Sequence, residues 1–162
     1  MNTEDSRREP AEHARFAAYL AELEQVGEAD ETALVGRVLG DPDRVMAEAA
    51  VVRHLDRRAA QLWPEPAWEE WAAAVTRVVT GRPFLVRRLE EWSLFRAIAL
   101  RLPWRPEDLL ASSDWLQLKA ATGAGRPDAL GVLDVLDVLA EGGRTKRIRN
   151  TARASRARRI EG

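Results

Sequence analysis

Residues 41–62 have the sequence DPDRVMAEAAVVRHLDRRAAQL, and this stretch decides the fold class. It opens with an acid that can cap a helix, a proline suited to the first helical position and a second acid facing the positive helix end. Apolar residues then recur at helical spacing, at Val45, Ala49, Val52, Leu55, Ala59 and Leu62. We therefore predict a helix that is capped by Asp41 and buries this stripe.

The same pattern of starts, stripes and stops extends over the rest of the chain. Prolines or acids precede the apolar stripes, and glycines or further prolines follow them, as at Pro10, Gly81 and Pro83. Ser113 can cap a separate helix within residues 107–122. Residues 128–141, DALGVLDVLDVLAE, favour a helix by their spacing, although their valines leave a buried strand as a minor alternative. With no period-two run and no Asn-Gly or Asp-Gly hairpin turn, the sequence predicts an all-α protein of about seven or eight helices.

Composition and charge bound the domain organisation. The chain has 162 residues, of which 46% are hydrophobic and 31% charged, as in a globular domain of ordinary size. Its net charge of −1 is unevenly distributed, because the start of the chain is acidic and the last nineteen residues carry eight basic side chains and one acid. We predict a flexible N-terminus (1–9), a single helical domain (10–143) and a basic C-terminal helix that frays into a tail (144–162).

Several protein classes are disfavoured by what the sequence lacks. Without cysteine there is no disulfide, thiolate metal site or cysteine nucleophile. The opening residues MNTEDSRREP contain no apolar segment of a secretory signal, and the apolar runs are far shorter than the about 20 residues of a membrane span. We therefore expect no membrane partner and, by default, a cytoplasmic location.

No motif predicts catalysis, a cofactor or a metal. His13 and His54 lie outside any H-E-x-x-H pattern, and we expect His54 to be a partly exposed boundary residue. No serine lies in G-x-S-x-G, and the glycines at 123 and 125 lack the third glycine of a dinucleotide loop. Asp134, Asp137 and Glu141 share one helix face, where a solvated surface is favoured over a divalent cation site. The sequence predicts a non-enzymatic protein.

Six tryptophans lie between residues 63 and 115. Most tryptophans are buried, so core packing explains the majority of them. An exposed subset would instead form a partner-binding surface, because tryptophan is enriched at interface hot spots. Trp63 and Trp104 lie beside prolines in loops, and with Trp115 they are the residues that we expect to be exposed and to bind a partner.

The C-terminal basic segment is the second candidate surface. Its cationic residues are Arg144, Lys146, Arg147, Arg149, Arg153, Arg156, Arg158 and Arg159. Arginine binds phosphate well because its planar fork is permanently charged, so the segment predicts binding to nucleic acid or to an acidic partner. The alternatives are a solvated tail, or a tail that pairs with the acidic start of this chain, in cis or in trans.

Helix punctuation recurs at a regular interval. Gly40-Asp41-Pro42, Gly81-Arg82-Pro83 and Gly125-Arg126-Pro127 are 41 and 44 residues apart, and each is followed by two predicted helices. This spacing resembles HEAT and armadillo repeats, which implies a short α-solenoid of helix pairs with a concave face for a protein or nucleic-acid partner. The alternative is a compact bundle with ordinary helix starts and stops. We expect a protein–protein interaction or adaptor module, with nucleic-acid association as the alternative.

Overall fold

A computed structural model of the chain describes residues 5–122 and 132–161. Within these ranges the chain has nine α-helices and no strand, which confirms the all-α prediction. The helices are α1 (Asp5–Gln25), α2 (Glu31–Leu39), α3 (Arg44–Leu62), α4 (Trp68–Val79), α5 (Pro83–Ala99), α6 (Pro106–Ala111), α7 (Asp114–Ala121), α8 (Val132–Gly142) and α9 (Lys146–Glu161). The loop predicted at residues 123–127 and the start of the segment 128–141 lie outside the described residues, while α8 shows that the segment is helical from Val132 onward.

The chain divides into two compact units, Met1–Leu89 and Glu90–Gly162. They are called here the N-terminal unit and the C-terminal unit, and α5 contributes residues to both. The domain boundaries that the sequence predicts, after residues 9 and 143, stay a prediction.

The N-terminal unit is organised around α3, which packs against α1 and α2, while α2 also packs against α4. Its apolar interior comes mainly from Leu34, Val35, Val38, Ala47, Ala50, Val51, Leu55, Ala59, Val75 and Val79, all of which are buried. The alanines of α3 are small, so the axes of α2 and α3 can approach closely where these helices pack.

The predicted start of α3 is wrong by two residues. Asp43, and not Asp41, caps the helix, because its carboxylate accepts a hydrogen bond from the Met46 N–H at 3.0 Å. The Asp41 carboxylate accepts instead from the Asp43 N–H at 2.9 Å and from the Tyr19 hydroxyl at 2.7 Å. The first acid therefore forms the turn and binds α1, and the second acid caps the helix.

The predicted buried face of α3 is wrong in part, because Leu55 and Ala59 are buried as predicted but Val45 is not. Val45 is 81% exposed, and the buried side chains are Ala47, Ala50, Val51, His54, Leu55 and Ala59. The expectation of a partly exposed His54 is wrong as well, because only 2% of its surface is exposed. A polar residue belongs to the core face here, and a stripe defined by apolar residues alone misplaces that face.

The C-terminal unit is built on α8 and α9, which make the most extensive helix pair, with α7 packed on both and α6 on α7 and α8. Its core contains Leu109, Ala120, Ala121, Val135, Leu136, Leu139, Ala140, Ile148 and Ala152. α9 begins beside Thr145, whose hydroxyl accepts from the Ile148 N–H at 3.1 Å, and continues to Glu161. Burial of Ile148 alone stabilises this packing by roughly 1.5–3 kcal/mol, and α9 also buries Ala152 and Ser155.

The turn between α8 and α9 requires a glycine. A Cβ atom on Gly143 would lie 2.6 Å from the Leu139 carbonyl oxygen and 2.8 Å from Ile148 Cγ2. The close approach of backbone to backbone at this point lets α9 fold directly back onto α8.

A buried glutamine joins three segments of the C-terminal unit. Gln117 is fully buried, and its Nε2 donates to the carbonyl oxygens of Leu109 at 3.0 Å and Leu110 at 3.1 Å. Its Oε1 accepts from the Arg144 N–H at 2.9 Å. One amide thus satisfies the end of α6 and the segment that leads into α9.

Candidate partner-binding surfaces

The three tryptophans proposed as partner contacts are all partly buried. Trp63 follows α3 in the N-terminal unit, and its backbone N–H donates to the Ala59 carbonyl at 2.9 Å. Trp104 packs against the core of the C-terminal unit. Trp115 packs its ring edgewise on Trp92, with 5.5 Å between the ring centroids. Trp63 thus belongs to one unit and the other two to the second, and their binding to a partner stays a prediction.

Exposed apolar side chains are frequent in the segment of sequence around Trp104. Six large hydrophobic residues are exposed in the part of the chain that the structure describes, and three of them, Leu100, Leu102 and Leu110, fall within residues 100–110. These leucines carry no signal of exposure in the sequence. Apolar residues next to a helix end resemble ordinary core positions, so no pattern in the sequence marks them as exposed.

The segment that carries these leucines has a defined backbone. α5 ends at Ala99, and Arg101 adopts the left-handed conformation with φ of 58°. The Leu102 N–H then donates to the Ala97 carbonyl at 2.8 Å, which completes a Schellman-type helix end. Glycine is usual at the left-handed position, so an arginine there carries a conformational cost of about 1–2 kcal/mol. Leu100 and Leu102 are therefore presented by an ordered turn.

Four of the predicted basic-site arginines bind carboxylates or backbone carbonyls of the protein itself. Arg144 forms an ion pair with Asp114 at 3.1 Å, and Arg156 forms one with Asp137 at 2.6 Å. Arg149 and Arg153 donate to the carbonyl oxygens of Gly143 at 2.8 Å and Ala140 at 3.0 Å. The last two satisfy carbonyls at the end of α8, where cationic side chains also complement the helix dipole.

The remaining basic residues of this segment differ in their exposure and in their contacts. Lys146 and Arg147 are exposed, and their side chains make no hydrogen bond or ion pair with any residue that the structure describes. Arg158 is exposed and donates to the Ser155 hydroxyl at 3.3 Å, while Arg159 is partly buried. The cationic surface open to a partner is thus smaller than the sequence suggested.

The carboxylates of α8 do not form a metal site within the described residues. Asp137 pairs with Arg156, and no group of three or more His, Cys, Asp or Glu side chains in the described ranges has a geometry suited to a metal ion. Asp134 and Glu141 are exposed on the same helix.

A buried carboxylate that the sequence analysis missed lies in the N-terminal unit. Glu31 is 3% exposed, and its Oε1 accepts from His54 Nε2 at 2.8 Å, Arg58 Nε at 3.0 Å and Trp71 Nε1 at 3.0 Å. Its Oε2 lies 3.4 Å from Arg58 Nη2. These residues, here called the Glu31 network, join the start of α2 to α3 and α4.

His54 is held in one tautomer by its second neighbour. Arg57 Nη2 donates to His54 Nδ1 at 3.0 Å, so Nε2 carries the proton that binds Glu31. The same Arg57 nitrogen donates to the Leu23 carbonyl at 2.9 Å, at the end of α1. The network therefore reaches all four helices α1 to α4 through hydrogen bonds.

The hydrogen-bond partners of Glu31 keep its carboxyl group ionised. Burial raises the pKa of its carboxyl, but hydrogen bonds from His54, Trp71 and Arg58 outweigh burial and lower the pKa from 4.5 to about 2. A cavity of about 230 Å³ beside it is lined by Arg58 and Trp71, with Glu28 and Glu70 among the other lining residues. Because the Glu31 oxygens already accept four hydrogen bonds, this carboxylate is suited to holding helices together rather than to taking up a proton.

One pattern in the sequence could have indicated the Glu31 network. His54 and Arg58 are four residues apart and lie on the same face of α3 as the buried Leu55 and Val51. Polar side chains with core spacing require a buried partner, and the first-turn acid Glu31 provides it. Nothing in the sequence, however, specifies which acid pairs with them.

No family model matches this chain, and no curated protein or solved structure matches it either. The resemblance to HEAT and armadillo repeats therefore stays a prediction. Within the described residues, no helix combines the length and apolar character that crossing a membrane requires.

Proposed function

We propose that this chain is a non-enzymatic interaction module that binds another protein through residues 100–110. The observation that carries the proposal is the group of exposed leucines, Leu100, Leu102 and Leu110, beside the partly buried Trp104. Isolated exposed leucines are common, but three within eleven residues beside a tryptophan are a concentration of exposed apolar side chains, a feature that protein partners often cover. Arg101 and Arg105 add exposed cations at its edge, as at many interface rims.

The ordered turn supports the same proposal. An interface that is formed before binding loses less conformational entropy on association than a flexible segment does. The left-handed Arg101 places this turn among the strained backbone positions that occur more often at binding and functional sites.

The test uses a photo-crosslinking amino acid introduced at position 102 of the full chain in its native cells. We expect a discrete crosslinked protein from position 102, and its loss when Leu100→Asp is added. The matched control places the same crosslinker at Ala154, an exposed position on α9. Crosslinking at both positions to the same extent, or at neither, would contradict the proposal. Leu100 is exposed, so the aspartate variant should unfold at nearly the wild-type temperature.

Nucleic-acid binding is the second candidate, and the exposed pair Lys146 and Arg147 favours it. These side chains and Arg158 extend from α9 without an ion pair to a described residue, so they are available for phosphate contacts. Removal of α9 is an unsuitable test because it would expose the apolar face of α8. Point substitutions are needed.

Binding to random double-stranded DNA and single-stranded RNA is measured across a salt series. For this candidate we expect affinity to fall steeply with salt, and to weaken further in Lys146→Gln/Arg147→Gln/Arg158→Gln. The control variant is Arg37→Gln, which removes an exposed arginine of the N-terminal unit. No binding at low salt would eliminate this candidate.

A further inference from the structure

Three aromatic rings surround one ammonium group in the C-terminal unit. Lys119 Nζ lies 4.9 Å from the centroid of the Trp92 ring, 5.0 Å from that of Phe95 and 6.0 Å from that of Trp115. Trp92 and Phe95 are buried, Trp115 and Lys119 are partly buried, and the rings of Trp92 and Phe95 meet edgewise. These three rings are called here the aromatic cage.

The rings attract the positive charge, but they are poor hydrogen-bond acceptors for its N–H groups. No hydrogen bond or ion pair joins the Lys119 ammonium to a residue in the described ranges. Ring faces attract a cation through their quadrupole, and they do so most effectively when the cation is weakly hydrated. Methyl groups remove N–H donors and add apolar surface, so a methylated ammonium suits this environment better than a primary one.

The dimensions allow methyl groups in contact with the rings. A C–N bond is about 1.5 Å long, so a methyl group directed at the Trp92 centroid would lie about 3.4 Å from it. That separation is close to ordinary van der Waals contact between carbon atoms.

The choice of lysine at this position is also informative. The chain has 23 arginines and only two lysines, Lys119 and Lys146. A compact ammonium fits between three rings, whereas a planar guanidinium stacks on one face and needs hydrogen-bond acceptors around its edge. Lysine is therefore present where the geometry suits an amine.

We propose that Lys119 is a methylation site and that the aromatic cage holds its methylated ammonium. The methyl donor is a sulfonium compound used by a separate methyltransferase. The lone pair of the deprotonated Nζ attacks the methyl carbon, an N–C bond forms, the S–C bond breaks, the sulfonium becomes a neutral thioether, and the amine proton passes to solvent. Lys119 is only partly buried, which leaves its amine within reach of this chemistry.

The first experiment maps the masses of peptides from the full chain purified from its native cells. We expect the added mass of one to three methyl groups on Lys119 and none on Lys146, which is exposed and has no ring within cation–π distance among the described residues. An unmodified Lys119 in this material would overturn the proposal.

The second experiment methylates the recombinant full chain with isotopically labelled formaldehyde and a borane reductant. Lys146→Arg leaves Lys119 as the reactive lysine, and Lys119→Arg, which leaves Lys146, is the matched control. We expect the N-methyl resonances of Lys119 to shift upfield because of the rings, and the unfolding temperature to stay equal or rise by about 1–2 °C. Unshifted resonances, or a lower unfolding temperature than before methylation, would show that the cage does not hold the methylated group.

Discussion

The interiors of the two units are stabilised by different buried polar groups. The N-terminal unit contains a buried carboxylate, Glu31, that binds a histidine, an arginine and a tryptophan. The C-terminal unit uses a neutral amide, Gln117, that binds backbone groups. A buried charge is costly to leave unpaired, whereas a buried amide loses only its hydrogen bonds. The N-terminal unit should therefore be the more sensitive of the two to a single polar substitution and to pH.

The largest effect is expected from Glu31→Gln. The substitution removes the charge that faces Arg58 and places an amide N–H where three donors converge, so the free energy of unfolding should fall by about 3 kcal/mol. Urea unfolding measures the loss, and hydrogen exchange should accelerate in α2 to α4 more than in α7 to α9. Glu70→Gln, at an exposed first-turn position, is the matched control and should cost about 0.3–1 kcal/mol. Equal acceleration in both units would show that Glu31 does not stabilise the N-terminal unit in particular.

Lowering the pH should remove the stabilisation that the ionised Glu31 carboxylate provides. The pKa of Glu31 is about 2 in the folded chain and 4.5 without its partners, so its stabilisation is complete above about pH 4.5 and is lost as the pH falls toward 2. The difference in unfolding free energy between wild type and Glu31→Gln should therefore narrow over this range. Urea titrations of both proteins at several pH values measure it. A constant difference would show that the carboxylate is not held ionised by the network.

A smaller effect is expected from Gln117→Leu. The leucine keeps the approximate volume but leaves the Leu110 carbonyl and the Arg144 N–H without the hydrogen bonds that Gln117 makes, at a cost of about 2 kcal/mol. This loss should not depend on pH in acid, in contrast to that of Glu31. Gln25→Leu, at an exposed position of α1, serves as the control and should change stability little. If Gln117→Leu lowered the free energy of unfolding as much as Glu31→Gln, the buried amide and the buried carboxylate would contribute equally to stability.

The smallest effects concern how the two units end a helix. Beyond α4 the left-handed residue is Gly81, with φ of 86°, and beyond α5 it is Arg101, with φ of 58°. Gly81→Ala should destabilise the chain by about 1 kcal/mol, although its Cβ would meet no atom within 4 Å. Arg101→Gly should stabilise it by about 1 kcal/mol. Thermal unfolding of both variants tests these two predictions. A stabilising Gly81→Ala would show that a side chain at this left-handed position carries no conformational cost.

The sequence predicts the helices better than it predicts their faces. Proline, serine and glycine act on the local backbone, so the break before Pro106, the cap at Ser113 and the end near Gly81 follow from the residues themselves. The buried face of α3 depends on where Glu31 lies in space, which local spacing does not contain. For that reason His54 was misplaced and Val45 was expected in the core.

The tertiary contacts of the candidate surfaces are likewise absent from the local sequence pattern. The basic residues at the end of the chain were easily found, but the sequence does not reveal that Arg149 and Arg153 bind carbonyls of α8. Likewise the loop position of Trp104 was predictable from its flanking prolines, whereas its packing on the core and the exposure of Leu102 depend on the tertiary fold.

The pairing of α8 with α9 has a consequence for the order in which this protein folds. The two helices are neighbours in sequence, and Leu136 and Leu139 of α8 are buried in the same cluster as Ile148 and Ala152 of α9. Contacts between segments close in sequence cost little loop-closure entropy and form quickly. We therefore expect this helical hairpin to form early in the folding of the C-terminal unit.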